Sequence, residues 1–342
     1  MSTQPLPSSE YKLLNCLKPL LNYRRTRRYP LPIGDDAAVR VCGAAEKLVL
    51  TADSFVQDVH FSLKYMTLEE VGYKAMAVNL SDCAAMAALP DGALVQIMFP
   101  QKQGTAKVTA DMKRLYAGMD TACRRWKFPI AGGNLSRGPC WIIDITLLGR
   151  MERSRVLLRT GARHGDGLWV SGNPGEATAG LAALRKWGRR GVPPAYRPLA
   201  ARHVRPVPRI ELGRALAREP RVHALIDISD GVAKECRTLA YENNLGIDLA
   251  VGPACVSPTV RLLAGRLGKD RLEWFLHGGE DYELMFAAAP TFDPVAFAGH
   301  GVPIARIGTF SRLQRGVCLR RADGGATSLG PGGWDHLRKG LL

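Results

Sequence analysis

Five short segments place carboxylates in glycine-bearing turns or at the ends of apolar runs: Gly34-Asp35-Asp36, Thr51-Ala52-Asp53, Leu80-Ser81-Asp82, Asp227-Ile228-Ser229-Asp230-Gly231 and Gly278-Gly279-Glu280-Asp281. Taken singly, each is ordinary turn or helix-cap chemistry. Together they supply carboxylate and hydroxyl oxygens with almost no histidine or cysteine, a donor set that suits Mg2+ and argues against zinc or iron. Several carboxylates converging on one cleft repel one another unless divalent cations lie between them. Hard cations in a basic surround imply a polyphosphate ligand.

The elements that must hold these residues can be read from periodicity. Val71, Ala75, Val78, Asp82, Ala85 and Leu89 advance by steps of four and three, so a helix over Leu68–Leu89 puts Asp82 on an otherwise apolar stripe. A carboxylate there needs a cation, donors or a raised pKa, with a salt bridge to an arginine as the bland alternative. Asp53 and Asp230 follow the apolar runs Leu48–Leu50 and Leu225–Ile228, at the strand ends where α/β proteins bind ligands. Further strands are expected at Leu94–Phe99, Trp141–Leu148, Leu168–Val170 and Glu283–Phe286, and helices at Lys107–Trp126, Ala177–Trp187 and Val232–Glu242. The alternation predicts an α/β (α+β) fold. Its 342 residues suit two domains, 1–150 and 151–342, divided near the arginine-rich Arg150–Arg163. Gly188–Arg209, rich in Gly, Pro and Arg, is expected to be a surface loop or hinge.

Composition narrows the partners only partly. Lysine and arginine number 47 against 31 acidic residues, a net charge of +16 that attracts polyanions without choosing among them. Arg202–Arg209 has no interleaved aromatic residues for base stacking, so interdomain salt bridges from a solvated loop are expected there rather than nucleic-acid binding. Ser171–Gly180 is glycine-rich but lacks the Gly-Lys-Ser/Thr ending of a phosphate loop and reads as a helix N-terminus. The first residues have no signal-peptide pattern and no apolar run reaches the ~18 residues of a spanning helix, which predicts a cytoplasmic protein without a membrane partner. The eight cysteines form no C-x-x-C pair and are expected reduced and mostly buried.

In order along the chain, Ile33-Gly34-Asp35-Asp36-Ala37-Ala38-Val39, Thr51-Ala52-Asp53 with Asp58-Val59-His60-Phe61, Gly72 through Asp82, Gly132-Gly133-Asn134, Arg159 through Arg163, Arg202 through Pro206, Asp227 through Gly231, Gly278 through Leu284 and Gly333-Trp334-Asp335-His336 resemble the thiamine-phosphate kinase family of the aminoimidazole ribonucleotide synthetase-like superfamily. The resemblance implies that superfamily's two-domain fold, with an N-terminal domain that dimerises and a C-terminal α/β domain completing the cleft. It implies ATP and thiamine monophosphate as substrates, several Mg2+ ions, and a homodimer. By position, Asp36, Thr51, Asp53, Asp82 and Asp227 would hold magnesium and Asp230 a further ion. Tyr116, Gly133, Asn134, Arg159 and Ser229 would contact ATP, and His60, Glu280 and Trp334 thiamine phosphate. Asp35 is expected to be a turn residue. Two positions depart from the family pattern: Asn134 replaces an aspartate, offering a neutral amide oxygen to the metal, and Ala52 offers only its carbonyl. The reaction implied needs no general base, because a phosphate oxygen with a second pKa of roughly 6 is already ionised at neutral pH. The alternatives are a relative acting on another acceptor, a basic nucleic-acid-binding module and a catalytically inactive relative.

Overall fold

The structure, a computed structural model, describes residues 4–18, 26–31, 34–42, 46–152, 156–252, 255–320 and 325–337. Ile33, part of the expected division at 150–163, and the tail from Arg338 fall outside them. After α1 (Ser9–Leu17), the first half builds a sheet from β1 (Ala38–Val41), β2 (Glu46–Val56), β3 (Leu89–Pro100), β4 (Ile130–Gly138) and β5 (Ile142–Glu152), in the order β1-β2-β5-β3-β4. Among the described residues of this sheet only β3 and β4 run parallel. The second half builds a seven-stranded sheet from β6 (Gly167–Ser171), β7 (Val222–Ile228), β8 (Gly246–Leu249), β9 (Glu283–Ala288), β10 (Ile304–Ser311), β11 (Val317–Arg320) and β12 (Ala326–Ser328), in the order β12-β11-β8-β10-β6-β9-β7. Its helices are α4 (Glu176–Gly191), α5 (Arg197–Val204), α6 (Ile210–Arg218), α7 (Val232–Asn243), α8 (Pro258–Leu267) and α9 (Arg271–His277).

Five of the six expected strands lie within observed ones, the sixth, Trp141–Leu148, starting one residue ahead of β5, and the helices expected in both halves are present. The helix α2 (Leu68–Ala85) is the axis of the molecule. Thr67 and Glu70 close its N-terminus as a reciprocal capping box. It packs on the first sheet, carries α3 (Thr105–Trp126) on one side and meets α6 and β7 of the second half on the other. Contact is backbone to backbone: a Cβ on Gly72 would lie 2.0 Å from the Leu115 carbonyl oxygen, and one on Gly213 would lie 2.0 Å from that of Ala84. Glycine at these crossings lets three helices approach more closely than any side chain allows.

Two expectations are corrected. The Leu68–Leu89 helix ends at Ala85, because Ala87 turns left-handed (φ 57°) and Leu89 opens β3; Asp82 therefore lies near the helix end. Gly188–Arg209 is not a loop. After a kink at Gly188 α4 continues to Gly191, and α5 follows with Pro198 in its first turn, where no N–H is required, burying Leu199, Ala200, His203 and Val204 along one face. The ion pairs of Arg202–Arg209 lie within the second half rather than between the halves, Arg202 with Glu176 at 3.2 Å and Arg209 with Glu283, while the exposed Arg205 reaches across to stack on the Tyr73 ring of α2, 4.6 Å from its centre. All eight cysteines are free, and Cys83, Cys123, Cys236 and Cys255 are buried. Among the described residues no helix is long and apolar enough to cross a membrane.

Candidate active site

A cleft of about 1370 Å³ runs between the halves, with walls from β2, the end of α2, the turn after β7, α4, α9 and the segment before Leu337. At its floor one carboxylate oxygen each from Asp36, Asp82 and Asp227 lie within 4.8 Å of one another. Three separate elements bring them there. Asp36 ends the glycine-bearing turn before β1, Asp82 looks out from the last turn of α2, and Asp227 is carried by β7. Thr51 donates its hydroxyl to Asp82 Oδ2, and the Ser81 hydroxyl donates to Asp227 Oδ2 at 2.6 Å.

The charge balance of this floor is negative. Among the described residues Arg159 is the one guanidinium bonded there, donating to Asp36 Oδ1 from Nε (3.1 Å) and Nη2 (2.5 Å). Asp35 acts as the expected turn residue: its carboxylate accepts from the Asp36 N–H at 3.0 Å and faces the Arg159 N–H at 3.4 Å. Asp36 Oδ2 is buried with no partner. Burial, and secondarily Asp36, push Asp227 up to about 8. Burial and then Asp230 push Asp53 up to about 6. Asp82 is raised by burial and by all of Asp53, Asp227 and Asp36. An orphaned buried oxygen among crowded carboxylates and a hydroxyl is a donor set short of positive charge, and it fits a hard divalent cation.

Not every expected residue joins this floor. On β2 the side chains of Thr51 and Asp53 alternate with Ala52, whose methyl lies on the opposite face of the sheet. Asn134 stands on edge strand β4 in register with Gln96, Asp144 and Ser54, three strand spacings from β2, or about 14 Å. Within one chain Asn134 cannot share an ion with Asp53. Gly133 and Tyr116, on β4 and α3, are likewise outside the cleft lining. Asp230, expected on a further ion, has its Oδ2 bonded to Lys234 at 2.8 Å.

The residues expected at the thiamine end, with Ser229, do line the cleft. His60 Nδ1 accepts the Val56 N–H at 3.0 Å, which leaves the ring proton on Nε2. Burial, then His336 and Lys74, lower this imidazole to about 4, so it is neutral at physiological pH and acts as a donor. Glu280 occupies a left-handed backbone position (φ 67°) fixed by its own N–H bond to the Ser229 carbonyl at 2.6 Å. Its carboxylate meets two buried groups that periodicity did not single out. Lys74 Nζ forms an ion pair with Oε1 at 2.7 Å, and His203 Nδ1 is 3.4 Å from Oε2. Burial depresses the Lys74 ammonium while Glu280 opposes that shift, and burial keeps His203 neutral. Trp334 donates its main-chain N–H to the Asp230 carbonyl at 3.0 Å and its indole N–H to His336 Nε2 at 3.1 Å. The glycine-rich Ser171–Gly180 is the N-terminus of α4, as expected. Its anion seat is filled by Asp281, which accepts from the N–H groups of Gly175 (2.7 Å) and Ala177 (3.0 Å).

Thiamine-monophosphate kinase of Rhodopirellula baltica is 35% identical to this chain over 297 residues, spanning 83% of this chain and 85% of that protein. The chain belongs to the thiamine-monophosphate kinase family. The family member from Bacillus subtilis is 30% identical over 90% of this chain and 93% of its own. The family model described as AIR synthase related protein, N-terminal domain, matches residues 34–151, which contain α2, α3 and all but the last residue of the five-stranded sheet. A solved structure described as AaThiL complexed with AMPPCP and TMP superposes on 96% of this chain and 97% of its own with a TM-score of 0.81 at 30% identity. The two-sheet architecture is thus the aminoimidazole ribonucleotide synthetase-like fold of the thiamine-monophosphate kinase family.

Proposed function

We propose that the protein transfers the γ-phosphoryl group of ATP to thiamine monophosphate, yielding ADP and thiamine diphosphate. The observation that carries this reading is the convergence of Asp36, Asp82 and Asp227 within 4.8 Å on a cleft built by both halves, in a chain of this family. Relatives named thiamine-monophosphate kinase, and a solved relative holding AMPPCP and TMP, support the substrate pair.

Asp36, Asp53, Asp82 and Asp227, with the Thr51 hydroxyl, would hold magnesium. When bound, the metal supplies positive charge that offsets the repulsion between donor and acceptor phosphates, about 4 kcal/mol per pair of unit charges at 4 Å and an effective dielectric of ~20. The chain's own residues bind and orient. Arg159, already buried beside Asp36, is placed to meet ATP phosphates together with Ser229. Glu280, His60 and Trp334 enclose the thiamine end. His60 cannot serve as nucleophile, because Nδ1 is committed to the Val56 N–H and Nε2 holds the proton. Direct in-line transfer to an acceptor oxygen that is already ionised follows, with no general base required.

We further read the chain as a homodimer of two-domain protomers divided at 150/151. Leu94 and Met98, 43% and 38% exposed, lie on the face of the first sheet turned away from α2. A second copy packed there supports a role for Asn134, Gly133 and Tyr116, which one chain leaves outside the cleft. Free cysteines and the absence of a membrane-spanning helix among the described residues support a cytoplasmic location.

The test is incubation of the purified protein with ATP, MgCl2 and thiamine monophosphate, followed by chromatography. Thiamine diphosphate and ADP should form in equal amounts. No product across a wide magnesium range would remove the proposal.

A further inference from the structure

Lys234 stands in the first turn of α7, where the partial positive charge of a helix N-terminus disfavours a cation. It is only 6% exposed. An ammonium buried this far is tolerated when each of its three N–H donors finds an acceptor. Here they do: Glu10 Oε2 at 2.6 Å, Asp230 Oδ2 at 2.8 Å and the Trp334 carbonyl at 2.9 Å. The acceptors come from α1, from the turn after β7 and from the segment that carries Trp334. Further bonds close the knot. Glu10 Oε1 accepts the His336 N–H at 3.1 Å, and the Asp230 carbonyl accepts the Trp334 N–H. Two carboxylate oxygens and a carbonyl around one charge are what a bound hard cation would receive.

We propose that Lys234 is a resident cation and a positioning residue: it takes Asp230 out of the metal-binding set and, through the same ammonium, holds Trp334 at the thiamine end of the cleft. The inference rests on the reading of the cleft as a magnesium-dependent phosphate-transfer site. It departs from the family-based assignment of an ion to Asp230, and the reason is geometric. One oxygen of Asp230 is already bonded to a saturated, buried charge that has no other place to go. Divalent ions are then confined to Asp36, Asp53, Asp82 and Asp227, and the Trp334 segment is anchored whether or not metal is bound.

The experiment counts Mn2+ bound per chain by equilibrium dialysis in the presence of AMPPCP, for the native protein and for Asp230→Asn, Lys234→Met and Asp82→Asn. Asp230→Asn should keep the native count. Lys234→Met, which frees Asp230, should bind one ion more, and its KM for thiamine monophosphate should rise roughly tenfold with the KM for ATP within about twofold, as expected for loss of a charge-assisted bond to the Trp334 carbonyl. An ion lost from Asp230→Asn, or a Lys234→Met count equal to the native one, overturns the proposal. Either variant decides the matter if the other fails to fold. Failure of the functional reading shows separately, as Asp82→Asn retaining every native ion.

Discussion

Metal-free protein should lose stability as pH rises from 7 to 8. Magnesium should remove the part of that loss that comes from the cleft floor, leaving the part from Asp281, which burial also pushes up to about 8 away from the floor. At the 4.8 Å separation of the Asp36, Asp82 and Asp227 oxygens, each fully ionised pair would repel by about 3.5 kcal/mol at an effective dielectric of ~20. The floor of the cleft relieves this by keeping protons, with Asp227 pushed up to about 8. The unfolded chain releases the same proton near the ordinary aspartate value of 3.8. Stability from the raised group is complete below that unfolded value and is lost as pH rises through the folded one. His60 and His203, both depressed, act in the opposite sense below the ordinary histidine value, so the range above 7 isolates the carboxylates. One retained proton corresponds to about 1.4 kcal/mol per pH unit. Partial titration of Asp227 makes this about 1 kcal/mol between pH 7 and 8, or roughly 2 °C in Tm for a chain of this size. Calorimetric melts at pH 7 and pH 8, in EDTA and in excess MgCl2, read the effect directly. Titration of Mg2+ at pH 7 in buffers of different ionisation enthalpy should register release of about one proton. A Tm in EDTA that rises from pH 7 to 8, with no proton released on Mg2+ binding, would refute the charge balance described for the cleft.

Asp82→Asn keeps the shape of the α2 terminus but removes the negative charge it brings to the cleft floor, and kcat should fall by about 10²–10³-fold with an unchanged circular dichroism spectrum. Lys74→Met leaves Glu280 facing only a neutral imidazole; because Glu280 is 26% exposed and can recruit water, the cost should be about 1–3 kcal/mol in denaturant titration. Adding Glu280→Gln to that variant should restore much of the stability without restoring the KM for thiamine monophosphate. Gly72→Ala puts a methyl 2.0 Å from the Leu115 carbonyl oxygen and should lower stability by about 1–3 kcal/mol through displacement of α3, measured by chemical denaturation.

How far the site could be read from sequence depended on whether a residue's partner was local. Asp82 was legible because a 3.6-residue period sets it beside Val71, Ala75 and Val78, where a carboxylate is out of place. Asp53 was legible because an apolar run ends at it. Lys74 and His203 were not singled out, since their common partner Glu280 is remote in sequence and reached only across the interface of the halves. A signal for Lys74 was present: the run Tyr73-Lys74-Ala75-Met76-Ala77-Val78 leaves α2 no polar face, and a helix apolar all round is buried. Pro and Gly misdirected the reading of Gly188–Arg209, because Pro198 starts α5 instead of breaking it. Strand β4, with glycines at 132, 133 and 138 and mostly exposed, shows none of the alternation by which β3 and β5 are recognised. The distance between Asn134 and Asp53 is set by strand order, which spacing along the chain does not encode.

The two ends of the described chain meet at the cleft: the Ser9 N–H donates to Asp335 Oδ2 at 2.9 Å across 326 positions of sequence. On a ribosome, the aspartates of the first half emerge early, and Asp227 follows much later. Lys234 then waits, with Glu10 and Asp230 available, for the carbonyl of a residue translated a hundred positions after it. Loop closure over such a span is paid for in chain entropy before any contact returns it. Closing of the cleft wall that carries Trp334 should therefore be the last event in the protein's maturation. A nascent or prematurely ended chain that already carries the acidic floor would still lack the wall that makes it an enzyme.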